Sequence, residues 1–64
     1  ELYWILVEVK STRTKENAEY AEQQLARGKE YLKNYVRVED RNIKTLFVYG
    51  GKDDEINYEE LKIR

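Results

Sequence analysis

The sequence has no cysteine and no histidine among its 64 residues. Disulfides, zinc fingers and Cys/His nucleophile arrangements are therefore excluded. A catalytic metal would have to be a hard cation held by carboxylates and carbonyls. Proline is also absent, and glycine appears only three times. No apolar run approaches the length of a membrane span, and no basic-then-apolar leader is present. With the missing cysteine, which suits a reducing compartment, this predicts a soluble, cytoplasmic protein. Sixty-four residues allow one small domain, whose core is marginal unless a partner helps it. The chain opens on Glu1 and enters its most apolar segment at once. That start predicts that residues 1–64 are a single small domain or a fragment of a larger one.

Net charge is −1, unevenly distributed. Residues 10–37 hold seven bases against four acids, a net +3, whereas residues 38–64 hold seven acids and five bases, a net −2. A mildly basic middle suits phosphates, but the chain is no basic nucleic-acid arm.

Residues 2–7 form an unbroken apolar run of aromatic and branched side chains, closed by charge, which predicts a strand buried on both faces. The polar stretch from Ser11 to Asn17 reads as a loop leading into a helix. From Ala18 to Val36 the apolar stripe is Ala18, Ala21, Leu25, Gly28, Leu32 and Tyr35, at spacings of 3 and 4 that share one helical face. Glu19, Glu22, Glu30 and Lys33 fall on the solvated side. Gly28 costs roughly 1 kcal/mol against alanine in a helix, and its place on the stripe predicts close approach to the sheet. Residues 43–49 (IKTLFVY) form a second strand ended by Gly50-Gly51. Strand, helix and strand in this order predict an α/β fold with a parallel pair joined by a right-handed crossover. Residues 56–63 read as a short strand or, because Asn57 and Glu60 stand at capping-box spacing, as a short helix; the helix is preferred.

Alternation along the first strand puts Glu8 and Lys10 on one face with Leu2, Trp4 and Leu6, and Tyr3, Ile5, Val7 and Val9 on the other. If the odd-numbered face meets the helix, Glu8 and Lys10 emerge side by side on the far face, roughly 7 Å apart at Cβ. They then lie at the carboxyl end of a strand, where sites form in open α/β sheets.

The run Ile5-Leu6-Val7-Glu8-Val9-Lys10, followed by a polar loop and a helix bearing Gln24-Leu25, resembles the second half of the PD-(D/E)XK nucleases. The wording from Tyr3 to Lys10 is similar to nuclease domains of type I and type III restriction-type enzymes. The resemblance implies a restriction-endonuclease-like core and Mg²⁺- or Mn²⁺-dependent hydrolysis of DNA phosphodiesters. It implies Glu8 and the Val9 carbonyl as metal ligands, Lys10 as the water-activating group, and Gln24 as the helix residue that orders the site. Such roles are chemically coherent. A hard ion polarises the phosphoryl group, and a lysine adds positive charge where the transition state gathers negative charge. The family takes its first metal ligand from an aspartate on an earlier strand, and no aspartate precedes Glu8. Gly28 stands where RecB-like members carry a tyrosine. An endonuclease or exonuclease activity would thus need an upstream Asp from elsewhere, and this chain alone is expected to be inactive.

Each of these residues has a plainer reading. Glu8 and Lys10 also read as solvated charges at a strand end, with the lysine guarding an edge against aggregation. Gln24 reads as a polar neighbour of the buried stripe. Arg13 and Lys15 reach phosphate from the loop or are simply solvated. Trp4 and the six tyrosines are expected in the core or at an interface rather than stacked on bases. Gly50-Gly51-Lys52 lacks the spacing of a P-loop and reads as a turn. Two functions follow: a metal-dependent nuclease fragment acting on DNA, or a non-catalytic α/β module that pairs its sheet with another chain. A missing segment or second chain that completes the sheet would serve either.

Overall fold

Burial alternates with period two along the first strand, and that alternation organises the fold. The computed structural model describes residues 2–63. It contains strand β1 (Trp4–Lys10), helix α1 (Lys15–Tyr31), strand β2 (Ile43–Gly50) and strand β3 (Ile56–Glu60). The sheet order is β1-β2-β3, with β1 parallel to β2 and β3 antiparallel to it. The result is a small α/β fold: a three-stranded mixed sheet with one helix against it. Its smallest dimension is 14 Å, which has room for one sheet and one helix layer and nothing more.

The parallel pair with a helix in the connection matches the sequence expectation, and Thr14 explains where the helix begins. Its hydroxyl accepts from the Asn17 amide at 3.0 Å, and the Asn17 side chain donates to the Thr12 carbonyl at 3.0 Å. The helix therefore starts at Lys15 rather than Ala18. Ala21, Leu25 and Leu32 are buried, and Glu19, Glu22, Glu30 and Lys33 are exposed, as the stripe predicts. Tyr35 is not buried. Residues Leu32–Val36 form a wide π-helical turn, which breaks the phase of the stripe, and Tyr35 is left 79% exposed. Arg37, at φ 68°, then ends the helix, with its N–H donating to the Leu32 carbonyl.

Three further expectations are corrected. The first strand is not buried on both faces. Its even side, with Leu6, Glu8 and Lys10, is half-buried, while Ile5, Val7 and Val9 on the odd side are exposed. One helix covers one face of the sheet, and the described residues provide no second layer. The helix thus takes the even face, not the odd one. Residues 56–63 begin as a strand, not a helix: the Lys52–Asp54 turn reverses the chain and pairing along β2 supplies ladder bonds that a lone helical turn lacks. Trp4, Tyr20, Tyr31, Tyr35 and Tyr58 are exposed, which leaves the interface half of their expectation open, and Phe47 is the fully buried ring among the described residues.

The core is Ala21, Leu25, Leu32, Ile43, Phe47 and Ile63, with Thr45 the buried polar residue. The tail after β3 closes it. The Leu61 amide donates to the Thr45 carbonyl at 2.9 Å, and the Thr45 hydroxyl donates back to the Leu61 carbonyl. Lys29, largely buried, donates to the Ile63 carbonyl at 2.6 Å and pairs with Asp40 at 3.0 Å.

Candidate functional site

Pairing across the sheet aligns two rows of side chains on the helix-covered face. Glu8 is level with Phe47, which is level with Glu59; one step on, Lys10 is level with Tyr49 and Tyr49 with Asn57. Both rows lie towards the carboxyl ends of the parallel strands. Glu8 and Lys10 are neighbours on this face, with the ammonium 3.8 Å from the carboxylate and both side chains about a quarter exposed (25% and 29%).

The helix runs back along β1. Gly28 stands over Leu6, since a Cβ on Gly28 would lie 3.2 Å from the nearer Leu6 methyl. Tyr20 meets Lys10, whose ammonium sits 4.1 Å from the ring centroid. Residues 20, 24 and 28 form one i,i+4 row, so Gln24 falls on the helix between these two contacts, and it is half-buried. The close approach expected at Gly28 is present. The structure brings Glu8 and Lys10 together on the helix-covered face rather than on the open one, and Gln24 stands on the helix row between Tyr20 and Gly28. The Val9 side chain points the other way and is 65% exposed.

Arg13 completes the surroundings. The loop that carries it is tied down at Ser11, whose carbonyl accepts from the Gly50 amide at 3.2 Å, and at Thr12 by Asn17. The guanidinium forks onto Glu59: Nε bonds one carboxylate oxygen and Nη2 the other, the second contact at 3.3 Å. It also lies 6.0 Å from the centre of the Tyr49 ring. The hydrogen bond from Arg13 holds the Glu59 carboxyl below the usual range, and the same bond raises the guanidinium pKa.

Mg²⁺ seeks six oxygen ligands at short range and dehydrates reluctantly. Glu8 supplies one carboxylate and shares it with Lys10. Glu59 lies on the far side of Phe47 and is committed to Arg13. No group of three or more acidic, histidine or cysteine side chains able to hold a metal occurs among the described residues.

Tyr20 and Tyr49, expected in the core or at an interface, instead lie against Lys10 and Arg13, and Glu59 pairs with Arg13 without having been singled out in the sequence. The Tyr20–Gln24–Gly28 row was available as a helical spacing, flanking the apolar stripe. The Glu59 contact was not, because it depends on β3 pairing with β2. No helix among the described residues is long and apolar enough to cross a membrane. Compared with models of known families, with curated proteins and with solved structures, the chain matches none.

Proposed function

We propose that this chain carries the Glu8/Lys10 half of a metal-dependent nuclease site of the PD-(D/E)XK kind, acting on DNA phosphodiesters once a second acid is supplied from outside the described residues. The observation that supports this reading is the juxtaposition of Glu8 and Lys10 on one face, towards the carboxyl end of a strand parallel to its crossover partner, with Gln24 on the helix row above. In this reading Glu8 and the Val9 carbonyl are ligands for Mg²⁺ or Mn²⁺. Lys10 is the cation beside the reacting phosphate, held in place by Tyr20. Gln24 orders the Glu8 side chain.

Titration with Mn²⁺, followed through paramagnetic broadening of backbone amides, tests it, because broadening detects weak occupancy of an incomplete site. The expected result is selective loss of the Glu8, Val9 and Lys10 signals, abolished in Glu8→Gln. Broadening confined to the acidic turn at Asp53, Asp54 and Glu55 would overturn the assignment.

A second reading, a non-catalytic module that joins its sheet to another chain, is favoured by a different observation. The face opposite the helix presents Ile5, Val7, Val9, Ile56 and Tyr58, each between 49% and 77% exposed. An apolar surface of that extent is typical of a contact site.

A further inference from the structure

We propose that Arg13 is a phosphate-contacting residue of a nucleic-acid-binding surface, and that Glu59 occupies its guanidinium until a phosphodiester takes the carboxylate's place. The choice of nucleic acid as the anion rests on the nuclease reading. The contact itself rests on separate geometry.

Arg13 differs from the other exposed cations in how it is held. Two hydrogen bonds to the residues just before it fix its origin: the Gly50 amide donates to the Ser11 carbonyl and the Asn17 side-chain amide to the Thr12 carbonyl. Its side chain lies against Tyr49 and presents both arms of the fork to one carboxylate. Tyr49 is the cross-strand neighbour of Lys10. Two cations thus lie at one end of the sheet, each against its own ring: Lys10 over Tyr20 and Arg13 beside Tyr49. Each is answered by one acid, Glu8 and Glu59 respectively.

Phosphate offers the guanidinium the same two-oxygen geometry as a carboxylate. An exposed Arg–Glu pair contributes little net stability, so exchanging one anion for the other costs the fold little. The Arg13 side chain is 46% exposed and Glu59 31%, so the pair is open to an incoming strand. Glu59 thereby works as a built-in competitor. It keeps the fork aligned when no nucleic acid is present and sets a threshold for its capture.

Fluorescence anisotropy with a labelled DNA duplex, in EDTA and over a series of salt concentrations, tests this without any catalytic step. Arg13→Gln is expected to weaken binding about threefold to tenfold and to reduce the salt slope by about one. Glu59→Gln is expected to tighten binding by a few-fold. The decisive variant is the double one. If Glu59 competes for Arg13, its removal gains nothing in the Arg13→Gln background. If the same gain persists there, Glu59 merely repels the duplex through space and the proposal is overturned. Arg13→Lys should keep the salt slope and lose part of the affinity, which separates the fork from its charge. The outcomes also separate this inference from the metal half-site. Wild-type protein that fails to bind DNA at low salt, yet shows Mn²⁺ broadening at Glu8, sinks the Arg13 assignment alone. Arg13-dependent binding without that broadening sinks the metal assignment alone.

Discussion

Lys10 rests its ammonium 4.1 Å from the centre of the Tyr20 ring, tying the end of β1 to an early turn of α1. The contact restrains a lysine that would otherwise be a loose strand-end charge, while its ammonium also pairs with Glu8 at 3.8 Å. Replacing Tyr20 with leucine keeps apolar bulk but removes the ring's negative face. We expect a loss of about 0.5–1 kcal/mol, the range of a partly exposed cation–π contact. Chemical denaturation of Tyr20→Leu, Lys10→Met and the double variant measures the coupling. Strict additivity would show that the two side chains are merely adjacent.

Gly28 and Gly50 should respond in opposite ways to alanine. At Gly28 the new methyl would press on a Leu6 methyl at 3.2 Å, and Leu6 is a flexible, half-buried side chain able to yield. Recovery of helix propensity, about 1 kcal/mol, then leaves Gly28→Ala neutral or mildly stabilising. At Gly50 the methyl would come 2.5 Å from the Ser11 carbonyl, which is backbone. Gly50→Ala must therefore shift the loop that carries Arg13, and we expect a clear drop in melting temperature. Equal behaviour of the two variants would contradict this packing.

Acid should weaken the fold only slightly through two paired carboxylates, because neither is buried. The hydrogen bond from Lys29, seconded by Lys33, holds the Asp40 carboxyl below its usual range, and Arg13 does the same for Glu59. A carboxylate whose pKa is lowered by folding stabilises the native state above its unfolded pKa. That contribution disappears as pH falls through the lowered folded value. Stability should thus be flat at neutral pH and fall below roughly pH 4. Asp40→Asn and Glu59→Gln should each flatten the fall, and added salt should shrink it, more at the open Arg13–Glu59 pair than at Asp40, whose partner Lys29 is largely buried. An acid limb unchanged in both variants would point to other carboxylates.

The uncovered sheet face makes association a natural outcome. Val7 sits at its centre and is 49% exposed, so a lysine there meets solvent rather than the core. Wild-type protein should sediment as more than a monomer at high concentration, and Val7→Lys as a monomer with an unchanged circular dichroism spectrum. Monomeric wild-type protein throughout would remove the support for the sheet-pairing reading.

Much of the fold was legible because the signals were local. The apolar runs at both parallel strands, the Ala21–Leu25–Leu32 stripe and the Gly28 approach all follow from spacing within one element. What sequence reading missed depended on partners far along the chain. The face of β1 that meets the helix is set by which of two similar apolar sets packs against Ala21 and Leu25, and both Leu6 and Val7 qualify by composition. Residues 56–60 become a strand because β2 offers an edge, which Asn57 and Glu60 do not reveal. The π turn at Leu32–Val36 has no marker in proline or glycine, so spacing alone keeps Tyr35 on the apolar stripe although it is exposed. At the candidate site, the Glu8/Lys10 adjacency follows from strand alternation alone, whereas the Arg13–Glu59 fork requires two residues 46 positions apart to meet.

The sheet order places β1, the most apolar strand, at the margin rather than in the middle. In a parallel ladder successive N–H groups point alternately towards the neighbour and away from it. Solvent deuterium should therefore reach every second amide of β1 quickly while the residues between exchange slowly. This two-residue beat should be absent from Leu46–Tyr49 of β2, which have a strand on each side, and it would vanish from β1 on the day another strand lay down beside it.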